Sequence, residues 1–327
     1  MKVLYIGGTG QISFDCVHET VNAGHDTWVF NRGNNNEGLP DKVSFIVGDF
    51  FDYTAYSKLA DMQFDVVCQF RVFTPEQLQR DLDLFSGKIK QYLFISSASA
   101  YKKPTPHYII TEEIPLDNPF AEYSSNKAAC ELLLKNQSAL PYTIVRPSHT
   151  SRTKFTTAMG EGKLAAQRML RNKAIVVPGD GTSLWTITAS ADFAPPFVKL
   201  IGNSAALNDY FHLTSDNAYA WNWIYLAIGK ALGVTPELVH VPSDTLARYN
   251  PDWIGALLGD KAYSVIFDNS KIKKVVGDFY CNTSLDSFMS DLVEKFVISA
   301  EDKETPDSKL DSLFDQIILD QKSLGNS

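Results

Sequence analysis

Tyr123 and Lys127 stand four residues apart in Ala121-Glu-Tyr-Ser-Ser-Asn-Lys-Ala-Ala-Cys-Glu-Leu-Leu-Leu134, a run rich in helix formers. On a helix, residues at that spacing share one face. A lysine ammonium beside a phenol stabilises the phenolate, so the tyrosine can exchange protons nearer neutral pH. The chemistry also needs a hydroxyl to hold the substrate oxygen. Ile95-Ser-Ser-Ala-Ser-Ala-Tyr101 offers one at the C-terminal end of an expected strand, the edge where open α/β sheets bind ligands. A tyrosine–lysine pair alone is usually a solvated helix face. A second motif gives this one its weight.

That motif is Ile6-Gly-Gly-Thr-Gly-Gln-Ile12, which joins a buried-looking strand to a helix. Gly7 and Gly10 let the backbone turn tightly and approach a pyrophosphate lying on the free N–H groups of the helix, with Gln11 and Ile12 beside it. Ser13 takes the place of the usual third glycine and is small enough for close helix–sheet packing. The second strand ends in Asn31-Arg32-Gly33, without the acidic residue that would bond a ribose 2′-hydroxyl. Arg32 can pair with a 2′-phosphate or stack on adenine, and Asn31 can bond a ribose hydroxyl, which leans towards NADP while leaving NAD open. Asp49, followed by Phe50, either accepts from the adenine amino group or caps the next helix. The fourth strand ends Cys68-Gln-Phe-Arg-Val72, where Gln69 is expected at the cofactor and Arg71 can contact the cofactor phosphates or reach the substrate.

These residues need a scaffold, and the first half of the chain reads as one. Strands are expected over Val3–Ile6, Thr27–Phe30, Val43–Val47, Asp65–Cys68, Tyr92–Ser96 and Thr143–Val145, alternating with helices near Gln11–Ala23, Tyr53–Ala60, Pro75–Phe85 and Glu122–Ser138. That alternation predicts an α/β fold: a Rossmann-type doubly wound parallel sheet over residues 1–150. Residues 151–327 read mainly as a smaller C-terminal α/β substrate domain, with chain crossings between the two allowed. Helices are expected over Gly160–Leu170, Ala191–Ile201, Tyr219–Leu232 and Leu310–Ile318. Short strands are expected over Ala174–Val177, Leu238–Val241 and Ser264–Phe267, and the charged stretch Ala300–Lys309 reads as a linker.

The 327 residues are 44% hydrophobic and 21% charged, far from a disordered composition. No apolar run is long enough to span a bilayer, and the first strand begins at Lys2, so a cytoplasmic protein without membrane partners is expected. Four cysteines without CxxC spacing read as buried hydrophobes of a reducing compartment. Six histidines without HxH or HxxxH spacing suggest no metal. A net charge of −8 repels phosphate backbones, so nucleic acid is not the expected partner.

Gly7-Gly-Thr-Gly10, Ser96-Ser97-Ala-Ser-Ala-Tyr101, Tyr123-Ser-Ser-Asn-Lys127 and Val145-Arg-Pro147 together resemble the extended short-chain dehydrogenase/reductases, the NAD-dependent epimerase/dehydratase group. The resemblance spans about residues 1–240. It implies NAD or NADP as cofactor and a sugar or sugar-like alcohol as substrate, with hydride moving to or from a sugar carbon. It makes Ser97, four residues before Tyr101, the hydroxyl that holds the substrate oxygen. By the same match Tyr123 is the acid/base, and Lys127 orients both it and the nicotinamide ribose. Pro147 and His149 fall in the segment that lies near the nicotinamide in relatives. Relatives often dimerise through the helix bearing the tyrosine and lysine, so a homodimer is expected here too.

Departures from that pattern narrow the chemistry. The family's dehydratases carry an Asp-Glu pair where this chain has Ala98 and Ser99, and neither does acid/base work at neutral pH. Ser99 is left as a substrate contact, and the site reads as an epimerase or simple reductase. Trp185 follows Gly179-Asp-Gly at the position of an arginine that binds diphosphate in nucleotide-sugar enzymes. An indole can stack on a sugar face or fill a core. Either Arg152 or Arg168 replaces the arginine, or the substrate is not a nucleotide diphosphate. The expected reaction is epimerisation through a keto intermediate, with an NADPH-dependent ketoreductase of a non-nucleotide substrate as the alternative. Some proteins of this fold, among them chloroplast stem-loop RNA-binding proteins with a similar Asn-Arg-Gly, bind RNA instead. The intact serine, tyrosine and lysine argue against that role here.

Overall fold

Short runs of branched and aromatic residues build a sheet that the rest of the chain covers on both faces. The computed structural model describes residues 1–136, 139–298 and 308–324. Seven parallel strands lie in the order Asp209–Leu213, Tyr142–Pro147, Gln91–Ile95, Val66–Gln69, Lys2–Ile6, Asp26–Asn31 and Ser44–Val47. Parallel strands need crossovers that cover both faces, and the central ones are accordingly apolar throughout. Val3, Leu4, Tyr5 and Ile6 are all fully buried. At the edge, Ser44–Val47 leaves Phe45 and Val47 exposed. The strand order reverses between Lys2–Ile6 and Val66–Gln69, which opens a crevice at their carboxyl ends.

The helix Pro75–Phe85 forms as the sequence predicts: Pro75 fits the first turn and Thr74 Oγ1 accepts from the Gln77 N–H. The helix Glu122–Asn136 carries Tyr123 and Lys127, and its expected end at Ser138 lies outside the described residues. The helix expected from Gly160 starts only at Lys163, because Gly160 and Gly162 adopt φ of +77° and +53°. Tyr219–Ala220 pairs with Leu184–Trp185, and the helix expected from Tyr219 starts at Trp221. The seventh strand of the sheet, Asp209–Leu213, comes from beyond residue 150 and pairs with Tyr142–Pro147. The final helix runs over Ser308–Leu324, and the linker expected before it falls mostly outside the described residues.

Residues after 150 also build a second core around Trp185, Trp221, Ile224, Tyr225 and Phe267. Its strands pair in twos: His149–Ser151 with Ile187–Ala189, Ile175–Pro178 with Leu238–Val241, and Ile109–Ile110 with Ile266–Phe267. Two of these pairs, through His149, Ile110 and Phe267, supply walls of a cavity that Ser97 and Tyr123 also line. No described helix is long and apolar enough to cross a membrane.

Candidate active site

Two cavities meet at Ser97 and Tyr123. The larger, about 450 Å³, spans the carboxyl ends of the strands from Asn31, Arg32, Asp49 and Phe50 on one side, across the glycine turn, to Ser97, Tyr123 and Lys127 on the other. The smaller, about 360 Å³, lies on the other side of Ser97 and Tyr123, towards the second core. Pro147 and Ser148 belong to both walls.

The glycine turn is built as its residue types require. Gly7 has φ +85°, and a Cβ there would lie 2.6 Å from Arg71 Cγ. Ser13 Oγ donates to the Gly7 carbonyl at 2.7 Å and accepts from the Gly10 N–H at 2.9 Å, so the serine ties the turn to the helix it opens. Gln11 anchors the turn to the second half of the chain. Its Oε1 accepts from the N–H groups of Arg152 and Thr153, at 3.1 and 2.9 Å. Gln11 and Ile12 both line the larger cavity.

An extended groove with a bare glycine backbone midway along it and a buried polar edge at its second end fits a dinucleotide. Ser96 at that second end is buried, lines the groove, and its Oγ has no hydrogen-bond partner among the described residues. Arg71 lies against Gly7 and within 6 Å of the Phe51 and Phe73 ring centroids, in the cavity wall beside the glycine turn. Asn31 spends its amide inside its own loop: Nδ2 donates to Asn36 at 2.7 Å and Oδ1 accepts from the Gly33 N–H at 2.8 Å. Arg32 lines the cavity beside it, together with Asn34 and Asn35. Asp49 Oδ1 accepts from the Phe51 N–H, whereas the next helix is capped by Asp52, so Asp49 shapes a turn and does not cap that helix.

Gln69 departs from expectation. It is fully buried and lines neither cavity; its Nε2 donates to Tyr56 and Asp81, and its Oε1 accepts from the Arg71 N–H at 2.7 Å. Its role is to hold the backbone from which Arg71 reaches. The acidic side chain Asp81 that draws Gln69 inwards also accepts from Tyr56 and Tyr92. His149, expected at the cofactor, lines the smaller cavity instead. Burial first, and the nearby Lys261 second, pull its pKa down to about 3, so the imidazole is neutral.

The catalytic candidates come together. Ser97 Oγ lies 2.9 Å from Ser99 Oγ, and Ser124 Oγ donates to Ser99 Oγ at 3.0 Å. Tyr123 is 45% exposed as a residue, with its side chain forming part of both cavity walls. Desolvation raises the phenol pKa, and hydrogen bonding with Ser97 pulls it back. Lys127 is buried, with Nζ donating to the carbonyls of Val72 and Ile95 at 2.6 and 2.7 Å and lying 5.8 Å from the Tyr123 ring centroid. Burial lowers its pKa to about 8.

Sequence reasoning missed the group that fixes this helix. Glu131, two turns beyond Tyr123, accepts from Arg146 Nε and Nη2 with its two oxygens at 2.8 and 2.6 Å, and Arg146 Nη1 donates to Tyr101 Oη at 3.0 Å. The signal was present in the i, i+4, i+8 series Tyr123, Lys127, Glu131 and in an arginine inside an otherwise apolar strand. Trp185 is both a core residue and a cavity wall: it is 4% exposed, stacks on Trp221 at 5.6 Å and lines the smaller cavity.

The family model of NAD dependent epimerases/dehydratases matches residues 3–211, ending inside the last strand of the sheet. The chain belongs to that family. Its cofactor is accordingly a nicotinamide dinucleotide, NAD or NADP. The chloroplast stem-loop binding protein of 41 kDa b from Arabidopsis thaliana is 27% identical over 267 residues, covering 76% of this chain and 66% of that protein. A UDP-glucose 4-epimerase from Lactobacillus helveticus is 27% identical over 205 residues, 55% of this chain and 62% of that protein. The chain thus spans just under two thirds of the length of each of these relatives. Among solved structures, the UDP-glucuronic acid 4-epimerase from Bacillus cereus in complex with NAD superposes with a TM-score of 0.72 at 17% identity, over 93% of this chain and 99% of that one. At that identity the likeness is one of fold.

Proposed function

We propose that the chain is an NAD(P)-dependent epimerase or oxidoreductase that works on a secondary hydroxyl of a sugar-like molecule through a keto intermediate. The observation that carries this reading is the meeting of the two cavities at Ser97 and Tyr123. One cavity suits the family's dinucleotide, and the other leaves room for a substrate on the far side of the same two hydroxyls. A nicotinamide bound in the larger cavity supplies hydride transfer. The protein's own part is proton transfer and positioning. As the phenolate, Tyr123 Oη takes the hydroxyl proton during oxidation, and as the phenol it returns the proton during reduction, while Ser97 Oγ holds the substrate oxygen. Desolvation disfavours that phenolate and the hydrogen bond with Ser97 opposes this, with the Lys127 ammonium 5.8 Å from the ring centroid as a further favourable charge. Arg71 and the glycine turn are proposed to bind the pyrophosphate, Arg32 the adenosine end, and Pro147 the wall near the nicotinamide. Gln11 holds the turn and Gln69 holds Arg71.

The test is calorimetric titration of the purified chain with NAD⁺ and NADPH, together with mass-spectrometric identification of any dinucleotide that co-purifies. Saturable binding of either is expected, with Tyr123→Phe binding it equally well and turning over about 10²–10⁴-fold more slowly. The similarity to a stem-loop binding protein makes RNA the competing ligand. Salt-dependent capture of an RNA stem-loop on a filter, with neither dinucleotide bound, would overturn the proposal.

A further inference from the structure

The smaller cavity is walled on its substrate side by Tyr101, Ile110, Trp185, Val265 and Phe267. Lys103 and Asp260 are the charged side chains in its lining, and they pair with each other at 3.4 Å. Lys103 is buried and Asp260 nearly so. Lys261, outside the lining, also lies 4.0 Å from Asp260 and 5.1 Å from the Trp185 ring centroid, so two lysines set against one carboxylate leave a single positive charge for the two negative charges of a diphosphate. Burying charge without a partner is strongly unfavourable.

The two arginines that might replace the missing one are elsewhere. Arg168 is buried against the Ala174 carbonyl and Asp311, and Arg152 stacks over Phe14 at 3.9 Å. Neither lines this cavity. At about 360 Å³ the cavity is also at the small end of ligand sites. One polar feature remains unmatched: the buried Trp185 indole Nε1 has no hydrogen-bond partner among the described residues. A buried donor of that kind is satisfied by a ligand acceptor or water.

We infer that this cavity binds a compact, uncharged ring compound without phosphate, one of whose oxygens accepts from Trp185 Nε1 while its reacting hydroxyl or carbonyl faces Ser97 and Tyr123. The inference rests on the function proposed above and names its substrate class. An indole and neighbouring aromatic rings suit the apolar face of a pyranoside and the ring of an aryl ketone equally. The shared chemistry is the flat or apolar-faced ring with a neutral oxygen, and the two sources are told apart by titration.

The experiment uses the full chain saturated with NADPH and titrates it with a panel of methyl pyranosides, a panel of hydroxylated aryl ketones, UDP and UDP-glucose. Saturable heat from at least one uncharged probe is expected, with none from UDP or UDP-glucose, and the panel that responds identifies the source. Trp185→Phe, which keeps a ring but removes the donor, should weaken the responding probe about tenfold. Ala256→Leu, which narrows the cavity, should abolish its binding while NADPH binding stays unchanged. Binding of UDP or UDP-glucose as tight as that of any uncharged probe overturns the inference, as does the failure of every uncharged probe to saturate at tens of millimolar. Failure to bind NADPH or NAD⁺ overturns the proposed function as well, so the two failures are read separately on one sample.

Discussion

Replacing Lys127 with methionine separates what its charge does for chemistry from what it does for the fold. A lysine in the unfolded chain keeps its proton to about pH 10.4. In the fold, burial brings that down to about 8. Between those values the unfolded state binds more protons, so the lysine's contribution to stability improves as pH rises. Below pH 8 the buried cation costs the fold about 3 kcal/mol relative to a solvated one, at ~1.4 kcal/mol for each pH unit of displacement. Methionine removes that cost but leaves the carbonyls of Val72 and Ile95 without their donor, at about 1–3 kcal/mol each. These effects oppose one another. Near pH 7 the variant should therefore lie within about 2 kcal/mol of the parent in urea unfolding. Turnover should still fall about 10²–10⁴-fold, because the charge beside Tyr123 is gone. Unfolding both proteins from neutral pH to about pH 10 should show the parent gaining on the variant by about 2–3 kcal/mol. A difference that stays flat or shrinks with rising pH would refute the reasoning.

Asp81 gives a second pH signature of opposite sign. Burial raises its pKa to about 6 against the hydrogen bonds from Tyr56, Tyr92 and Gln69. The folded state therefore holds the extra proton, and stability should fall by about 3 kcal/mol as pH rises from about 4 to 6. Asp81→Asn should flatten that slope in urea unfolding. Gly7→Ala should cost about 1–2 kcal/mol for its positive φ and push Arg71 aside. Its melting temperature should drop by a few degrees, and both dinucleotides should bind more weakly by calorimetry. Arg32→Ala should weaken NADP binding about tenfold and NAD binding much less, since only NADP offers the 2′-phosphate. Equal losses for the two would mean that Arg32 stacks on adenine.

The parts of the fold written in local patterns were legible before the structure. Gly7 and Gly10, the buried strands around them and the spacing of Tyr123 and Lys127 are short-range signals, and each residue stands where its type requires. Gln69 could not be placed in the same way. Its position at a strand end pointed to the cofactor, but a carboxylate 12 residues away, Asp81, holds its amide inside the core. Nor did the sequence decide which cavity His149 lines, since two residues after Pro147 the chain leaves the sheet to pair with Ile187–Ala189. Asp209-Tyr-Phe-His-Leu213 mixes polar and apolar residues and reads weakly as a strand, although it completes the central sheet. Long-range partners decided all three cases.

The origin of that seventh strand limits how the cofactor half can be inherited or moved. Residues 1–150 encode six of its strands, and the one that covers the outer edge of Tyr142–Pro147 is encoded only after a long excursion through the second core. Cut at 150, the chain would present an unpaired edge of buried-type residues ready to capture another strand. During synthesis the same edge stays open until residue 213 has emerged, so the nucleotide half can close only after part of its neighbour has been made. Grafting a new unit onto this protein would mean keeping Asp209–Leu213 in place together with the helix Ser190–Val198 and the residues Ile272, Val276 and Phe279, which pack on the central sheet.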